Sequence, residues 1–321
     1  MLKEKEIHND TTEREIVITR IINAPRELVF NAWTDPKHLS NWWGPRRFTN
    51  TFKEINTKTG GQWLFTMHGP MGDFPNRIKF HEVVKPERLV YLHDSGIDND
   101  PSGFEVVVTF EAQGDKTKLT LRSLFPTKDI RDMVVREFKA TEGGNQNIDK
   151  FEEQLVLMSS EVFTLSREFD APRDLVWKVY TEAEHLSKWW GPQGFKMVTA
   201  KVDLRPGGLF HYCMQSPDGH EMWGRFVYRD ITAPEQVIFT NSFSDKDGNA
   251  VRAPFNPNWP LEVMNFVTLT EKNGKTTITM KGGPFNATEE ERILFVSMQP
   301  MLDQGFKGTF DQLDAYLKSV K

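Results

Sequence analysis

Apolar and polar residues alternate one by one along much of the chain, and runs of helical spacing interrupt them at a few places. Glu15-Ile16-Val17-Ile18-Thr19-Arg20-Ile21 is short, β-branched and partly alternating, the pattern of a strand. Asn23-Ala24-Pro25 and Asp170-Ala171-Pro172 then open helices, because the missing N–H of proline is no loss in a first helical turn. Leu28, Val29 and Trp33 recur at helical spacing, as do Leu175, Val176 and Tyr180. Thr34-Asp35-Pro36 starts a second short helix carrying His38 and Leu39, and Gly44-Pro45 stops it. Trp63, Phe65 and Met67 alternate with Gln62, Leu64 and Thr66, and Phe210, Tyr212 and Met214 repeat the pattern. A period of two puts each set on one face of a sheet. Val106, Val108 and Phe110 mark another strand, and Phe266, Thr268 and Thr270 a further one. Asp73, Gly114-Asp115 and Asn273-Gly274 supply turn chemistry, the last a hairpin signal.

The closing pattern is helical. Thr288-Glu289-Glu290-Glu291 fits a capping box ahead of Ile293-Leu294-Phe295, and Pro300 predicts a kink or break. Leu302, Phe306, Phe310, Leu313 and Leu317 then form an apolar stripe, a part played earlier in the chain by Ile148, Phe151 and Leu155. The order is strand, two helices, several antiparallel strands and a long helix, an α+β plan with a curved sheet wrapped around its terminal helix.

That order occurs twice. Residues 20–45 and 167–192 agree at 14 of 26 positions without a gap, ending in HLSNWWGP and HLSKWWGP. Gly60-Gly61 and Gly207-Gly208 precede the aromatic strands at the same offset, and a period near 150 is too long for a solenoid unit. The reading is a tandem duplication, with one domain over 11–158 and the other over 159–321.

Composition narrows the function classes. Net charge is −5 with no long charged run, so nothing suggests a nucleic-acid footprint. Mean hydropathy is −0.52, and no apolar run approaches the roughly 20 residues of a bilayer span. Met1–Asp10 shows no apolar leader, and Cys213 is the only cysteine, so no intrachain disulfide forms. A cytoplasmic location is expected. Phosphate-loop, dinucleotide and nucleophile-elbow motifs are missing, no metal or other cofactor is expected, and Asn286-Ala287-Thr288 is a sequon that a cytoplasmic chain would not use.

Candidate chemistry is sparse. His38 and His185 lack a second ligand at i+4 and read as helix-end histidines. The paired tryptophans read as packing, one ring entering the core and the other covering a rim. His211, Cys213, His220, Glu221 and Arg225 form the densest polar cluster near strands, without metal spacing or a cysteine–histidine–asparagine framework. By alternation, His211 and Cys213 face away from the aromatic set. Arg225 on a strand suits a ligand carboxylate or a surface ion pair.

The Ala-Pro, Leu-Val, Trp-Trp-Gly-Pro, Gly-Gly, Pro-Glu and Gly-Lys-Thr elements together resemble the activator-of-Hsp90-ATPase homologue, C-terminal-like family, in the START/Bet v 1-like helix-grip superfamily. The resemblance covers nearly the whole chain in two copies. It implies two helix-grip domains, each with a cavity between sheet and terminal helix. The loop Arg252-Ala253-Pro254-Phe255-Asn256-Pro257-Asn258-Trp259-Pro260 suits the family, whereas the first copy has only Asp98–Gly103 there and so is the more degenerate. The charged amino-terminal domain of eukaryotic activators has no counterpart. Candidate cavity residues are Trp63, Phe65 and Met67 in the first copy. In the second they are Phe210, Tyr212, Met214, Trp223, Arg225, Trp259 and Phe306. The leading expectation is a non-enzymatic protein holding a small apolar or amphipathic ligand. The alternatives are a partner of an Hsp90-type chaperone and a cyclase- or hydrolase-like enzyme, with His211, His220 and Glu221 as candidate acid–base groups.

Overall fold

The computed structural model describes residues 11–321. The reading of Met1–Asp10 falls outside the described residues. The chain divides into two compact units between Leu155 and Val156.

In the first unit, β1 (Glu15–Ile22) is followed by α1 (Arg26–Thr34) and α2 (Pro36–Trp42). Then come β2 (Thr49–Ile55), β3 (Gln62–Gly69), β4 (Gly72–Val84), β5 (Arg88–Asp94), β6 (Phe104–Gln113) and β7 (Lys116–Leu124). Helices α3 (Lys128–Phe138) and α4 (Ala140–Met158) follow, the latter crossing into the second unit at its end. The second unit repeats the order with β8 (Phe163–Phe169), α5 (Arg173–Thr181), α6 (Ala183–Trp189), β9 (Lys196–Val202), β10 (Leu209–Gln215) and β11 (Glu221–Thr232). It continues through β12 (Gln236–Ser244), the short β13 (Ala250–Val251), β14 (Glu262–Lys272), β15 (Lys275–Phe285), α7 (Glu289–Ser297) and α8 (Gln299–Val320).

Both sheets are antiparallel. Their orders are β1-β7-β6-β5-β4-β3-β2 and β8-β15-β14-β12-β11-β10-β9, with β13 on β12. Each first strand pairs with the last one, so the first two helices of a unit cross from one edge of the sheet to the other, and its remaining helices follow the meander of strands. This is the α+β helix-grip arrangement. At the β14–β15 hairpin, Asn273 and Gly274 both take left-handed φ values of 54° and 74°, the two-residue turn whose twist matches the strands.

Local chemistry sets the helix limits. Thr288 and Glu291 make the reciprocal capping box at the start of α7. The break expected near Pro300 falls at Met298, which ends α7 and caps α8, so Pro300 sits in the first turn, where it costs no hydrogen bond. Pro25 and Pro172 stand one position earlier than expected, as extended N-cap residues rather than inside the first turn.

The inner face of each sheet carries the core. In the first unit Phe30, Trp33, Trp42, Trp63, Phe80, Phe110 and Phe151 are fully buried. Each such side chain contributes on the order of 2–3 kcal/mol on leaving water. The second core gathers Phe169, Trp189, Phe210, Phe226, Phe239, Phe310 and Leu313. A smaller cluster of Val156, Ile238, Met264, Phe266 and Phe285 lies on the opposite face of that sheet, where Val156 occupies the space left by Gly283.

Candidate functional site

The duplicated corner is the clamp that holds each terminal helix. In the first unit the amide of Gly44 donates to Asn147 Oδ1 at 2.8 Å, and its carbonyl accepts from Lys150 Nζ at 3.1 Å. In the second, the carbonyl of Gly191 accepts from Gln312 Nε2 at 2.7 Å and Thr309 Oγ1 at 3.2 Å. The two histidines complete the clamp: Gln154 Nε2 lies 3.1 Å from His38 Nδ1, and Tyr316 Oη lies 2.8 Å from His185 Nδ1. Both tryptophans of the first pair are buried, and Trp43 reaches Trp63 with centroids 5.2 Å apart. Trp189 is buried and Trp190 half-buried, its ring edge-on to Phe226 at 5.2 Å.

The inner faces are where the candidate cavity residues meet. Trp63, Phe65 and Met67 line up on β3, and Trp63 Nε1 donates to Thr57 Oγ1. Phe210, Tyr212 and Met214 line up on β10, the first two in ring contact at 4.7 Å. Trp259 packs on Phe295 of α7 at 5.4 Å and reaches Phe243 of β12 through Phe255. Phe306 stacks on Phe163 at 6.0 Å.

Trp223 and Arg225 are not among them. The register pairs Cys213 with Trp223 and His211 with Arg225, and His211 stacks on Trp223 at 5.1 Å. All four therefore share the outer face, opposite Phe210 and Tyr212. Trp223 Nε1 turns to Glu221, and Arg225 Nη1 to the carbonyl of Gly248. Period two separates residues 223 and 225 from the core positions 222, 224 and 226. An open depression of about 380 Å³ lies on this side, reaching from Lys201 and Arg205 to His211. Among the described residues, no three or more His, Cys, Asp or Glu are placed to hold a metal ion. No described helix is long and apolar enough to cross a membrane.

Among the described residues the first interior buries one phenol, Tyr91, and the second buries three. Tyr180, Tyr212 and Tyr228 occupy the places that Trp33, Phe65 and Phe80 hold in the first unit, as the common offset and strand register require. Burial raises all three phenols well above their ordinary range, Tyr212 to about 12 and Tyr180 further still, with Tyr228 adding to the effect on Tyr180. Tyr212 lies across Gly224, where a Cβ would fall 2.5 Å from its ring, so only glycine fits there. Tyr180 Oη is enclosed and has no hydrogen-bond partner among the described residues. The indole N–H groups of Trp33 and Trp42 also lack a partner among the described residues, but these rings and Phe151 sit within about 5 Å of one another, where π faces act as weak acceptors.

Sequence reasoning placed Tyr180 on an apolar helix face and did not single out Tyr228. The aligned pairs Trp33/Tyr180 and Phe65/Tyr212 carry the signal, each exchanging an aromatic ring for a phenol. It also missed His93, which follows Leu89 and Tyr91 on the inner face of β5 at a period of two.

One family model, described as activator of Hsp90 ATPase homolog 1-like protein, matches residues 23–155 and again 170–318. The chain belongs to that family, in two copies. Among solved structures it is similar to protein Ms6760 from Mycobacterium smegmatis, 28% identical over 50% of this chain and 94% of that one, with a TM-score of 0.42. Protein NE0264 from Nitrosomonas europaea is likewise 28% identical, over 50% and 97% of the two chains, with a TM-score of 0.41. The di-domain ARO/CYC BexL from the BE-7585A biosynthetic pathway is 11% identical over 95% of this chain and 98% of its own, with a TM-score of 0.41. No curated protein matches.

Proposed function

We propose that this two-copy family member is a binding protein for small amphipathic molecules, and that its second unit holds one between the inner sheet face and α8. The observation that carries this reading is Tyr180 Oη, a phenol enclosed in an aromatic interior without a partner among the described residues. A buried polar atom left unpaired costs about 1–3 kcal/mol, and native interiors rarely keep one without a reason. A ligand group that hydrogen-bonds Tyr180 removes that cost, and the surrounding rings bury the rest of the molecule. Few polar groups in an apolar enclosure are the usual make-up of a small-molecule site. Half-buried Trp190, Met222, Phe243, Met298, Leu302 and Phe306 pack against the same core, and methionine and leucine side chains there repack readily around a guest. Binding rather than catalysis is favoured because the one thiol, Cys213, lies on the outer face, where burial pushes its pKa up and keeps it protonated.

Native mass spectrometry of the gently purified full chain, with denaturing extraction of any released compound, tests the reading. The expected result is a retained small molecule whose occupancy falls about tenfold in Tyr180→Phe, the worth of one hydrogen bond of about 1.4 kcal/mol. A bare mass in every preparation, together with stimulation of an Hsp90-type ATPase, would replace it with the chaperone-partner reading.

A further inference from the structure

A surface cluster of the first unit has the connectivity of a nucleophile, a base and an orienting acid. Thr51 Oγ1 lies 2.9 Å from His68 Nε2, and His68 Nδ1 lies 2.7 Å from Asp73 Oδ1. An ionised carboxylate only accepts, so Nδ1 carries the imidazole proton. Nε2 of the neutral ring then keeps its lone pair and accepts from the Thr51 hydroxyl. General-base removal of the hydroxyl proton requires this direction.

Strand register brings the three groups together. Asp73 on β4 stands directly opposite His68 on β3. Thr51 on β2 is on the diagonal, two residues beyond Thr49, which faces His68. By the period of two, His68 points away from Trp63, Phe65 and Met67, so the cluster lies on the outer face. Phe48 packs across Gly69, where a Cβ would collide with its ring, and that ring is 6.1 Å from Phe74. These contacts pin the β3–β4 turn that joins His68 to Asp73. β2 is the last strand of its sheet and Thr51 is exposed, so a small molecule reaches the hydroxyl from the open side. Backbone N–H groups along the open side of an edge strand are available donors for an oxyanion. The second unit has Gln215 in the place of His68, opposite Glu221, so the cluster is particular to the first.

We propose that Thr51, His68 and Asp73 form an acyl-transfer site that cleaves activated carboxylic esters with small acyl groups. His68 Nε2 takes the hydroxyl proton as Thr51 Oγ1 bonds to the ester carbonyl carbon. The carbon–oxygen bond to the leaving alcohol then breaks, and that alcohol receives the proton from Nε2. Water repeats the sequence on the acyl-threonine, which releases the carboxylic acid and restores the hydroxyl. Asp73 touches no reacting atom and is a positioning residue that holds the tautomer. The methyl group beside Oγ1 crowds the attack and selects small acyl groups. An open, hydrated edge stabilises an oxyanion less than an enclosed site does, which selects good leaving groups such as phenols. The site lies on the outer face of the first unit and is independent of the Tyr180 reading, which concerns the interior of the second.

The test incubates the full chain with p-nitrophenyl acetate at neutral pH, follows p-nitrophenolate release and maps acetylated residues by peptide mass spectrometry. The expected result is acetyl on Thr51 that forms and then decays as the ester is consumed. Thr51→Val should remove that label, and His68→Gln, which copies the second unit, should slow its formation by about tenfold or more. Asp73→Asn should slow it as well without changing thermal unfolding, and Asp73→Glu should restore it. Tyr180→Phe should change none of this. Acetyl on lysines alone, or Thr51 labelled equally fast in His68→Gln, overturns the proposal. The wild-type map decides the first of these whether or not a variant folds.

Discussion

The two units share a scaffold and differ in what they place inside it. Their clamps match position for position: Asn147 and Thr309, then Lys150 and Gln312, meet the backbone of the same corner glycine. The buttressing ion pairs match as well, Arg20 with Asp149 at 2.8 Å and Arg167 with Asp311 at 2.6 Å. Inside, three phenols in the second unit stand against Tyr91 and the imidazole of His93 in the first. The contacts that set the helix against the sheet left little freedom after duplication, because each serves the whole unit. Single interior positions were free to change, because an aromatic ring and a phenol fill almost the same volume.

The comparison breaks most visibly on the outer faces. Arg77 makes a two-pronged pair with Asp94, Nε to Oδ1 at 2.9 Å and Nη2 to Oδ2 at 3.1 Å, where the second unit has Arg225 facing Ser242. Asp94→Ala should cost about 2 kcal/mol in urea unfolding because it removes both charged hydrogen bonds to Arg77 and leaves the guanidinium only Asp98 and the carbonyl of Ile97, while Ser242→Ala should stay within about 1 kcal/mol. Equal costs would mean that the ion pair adds nothing specific to the first unit.

Next comes the fit of the terminal helices. A Cβ on Gly144 would fall 2.4 Å from Ile18 Cδ1, whereas Gly305, one position before the Phe306 that replaces Gly144, has open space around it. Gly144→Ala should destabilise by about 1–3 kcal/mol through overpacking and recover when Ile18 is trimmed to Val. Gly305→Ala should stabilise by up to about 1 kcal/mol through helix propensity. Thermal unfolding of both variants checks the pair.

Tyr180→Phe probes the second interior without ligand. Removing an unpaired hydroxyl should leave stability unchanged or raise it by about 1 kcal/mol, and a loss instead would point to an ordered water on Tyr180. The effect smallest at neutral pH comes from His93. Its folded pKa of about 4 lies below the ordinary 6.5, so the unfolded chain takes up the proton first. Stability should be unaffected above about pH 6.5 and should fall as the pH drops from there to about 4. In His93→Asn, which copies the second unit, denaturant midpoints across this range should lose that part of their slope.

Much of the scaffold was legible in the sequence because repetition and period are local signals. Helices α1 and α2, the strands carrying Trp63 and Phe210, and the α7 capping box each follow from a few neighbouring residues. The site was less legible because its chemistry depends on direction. Arg225 and Trp223 looked like lining until strand register put them on the outer face beside His211. His93 and Tyr180 were passed over because each sits in an apolar run where only a missing partner makes its polar atom conspicuous, and partners come from distant strands and helices.

The clamp also imposes an order in time. The amide of Gly44 meets an acceptor 103 residues later, and the carbonyl of Gly191 meets its donor 121 residues later. At about 5–20 residues per second of synthesis, each corner emerges roughly 5–25 s before the helix that locks it. Through that interval the aromatic inner face has strands but no lid. A growing chain of this design is therefore most exposed to chaperones and proteases just before its terminal helix appears, and it meets that interval twice.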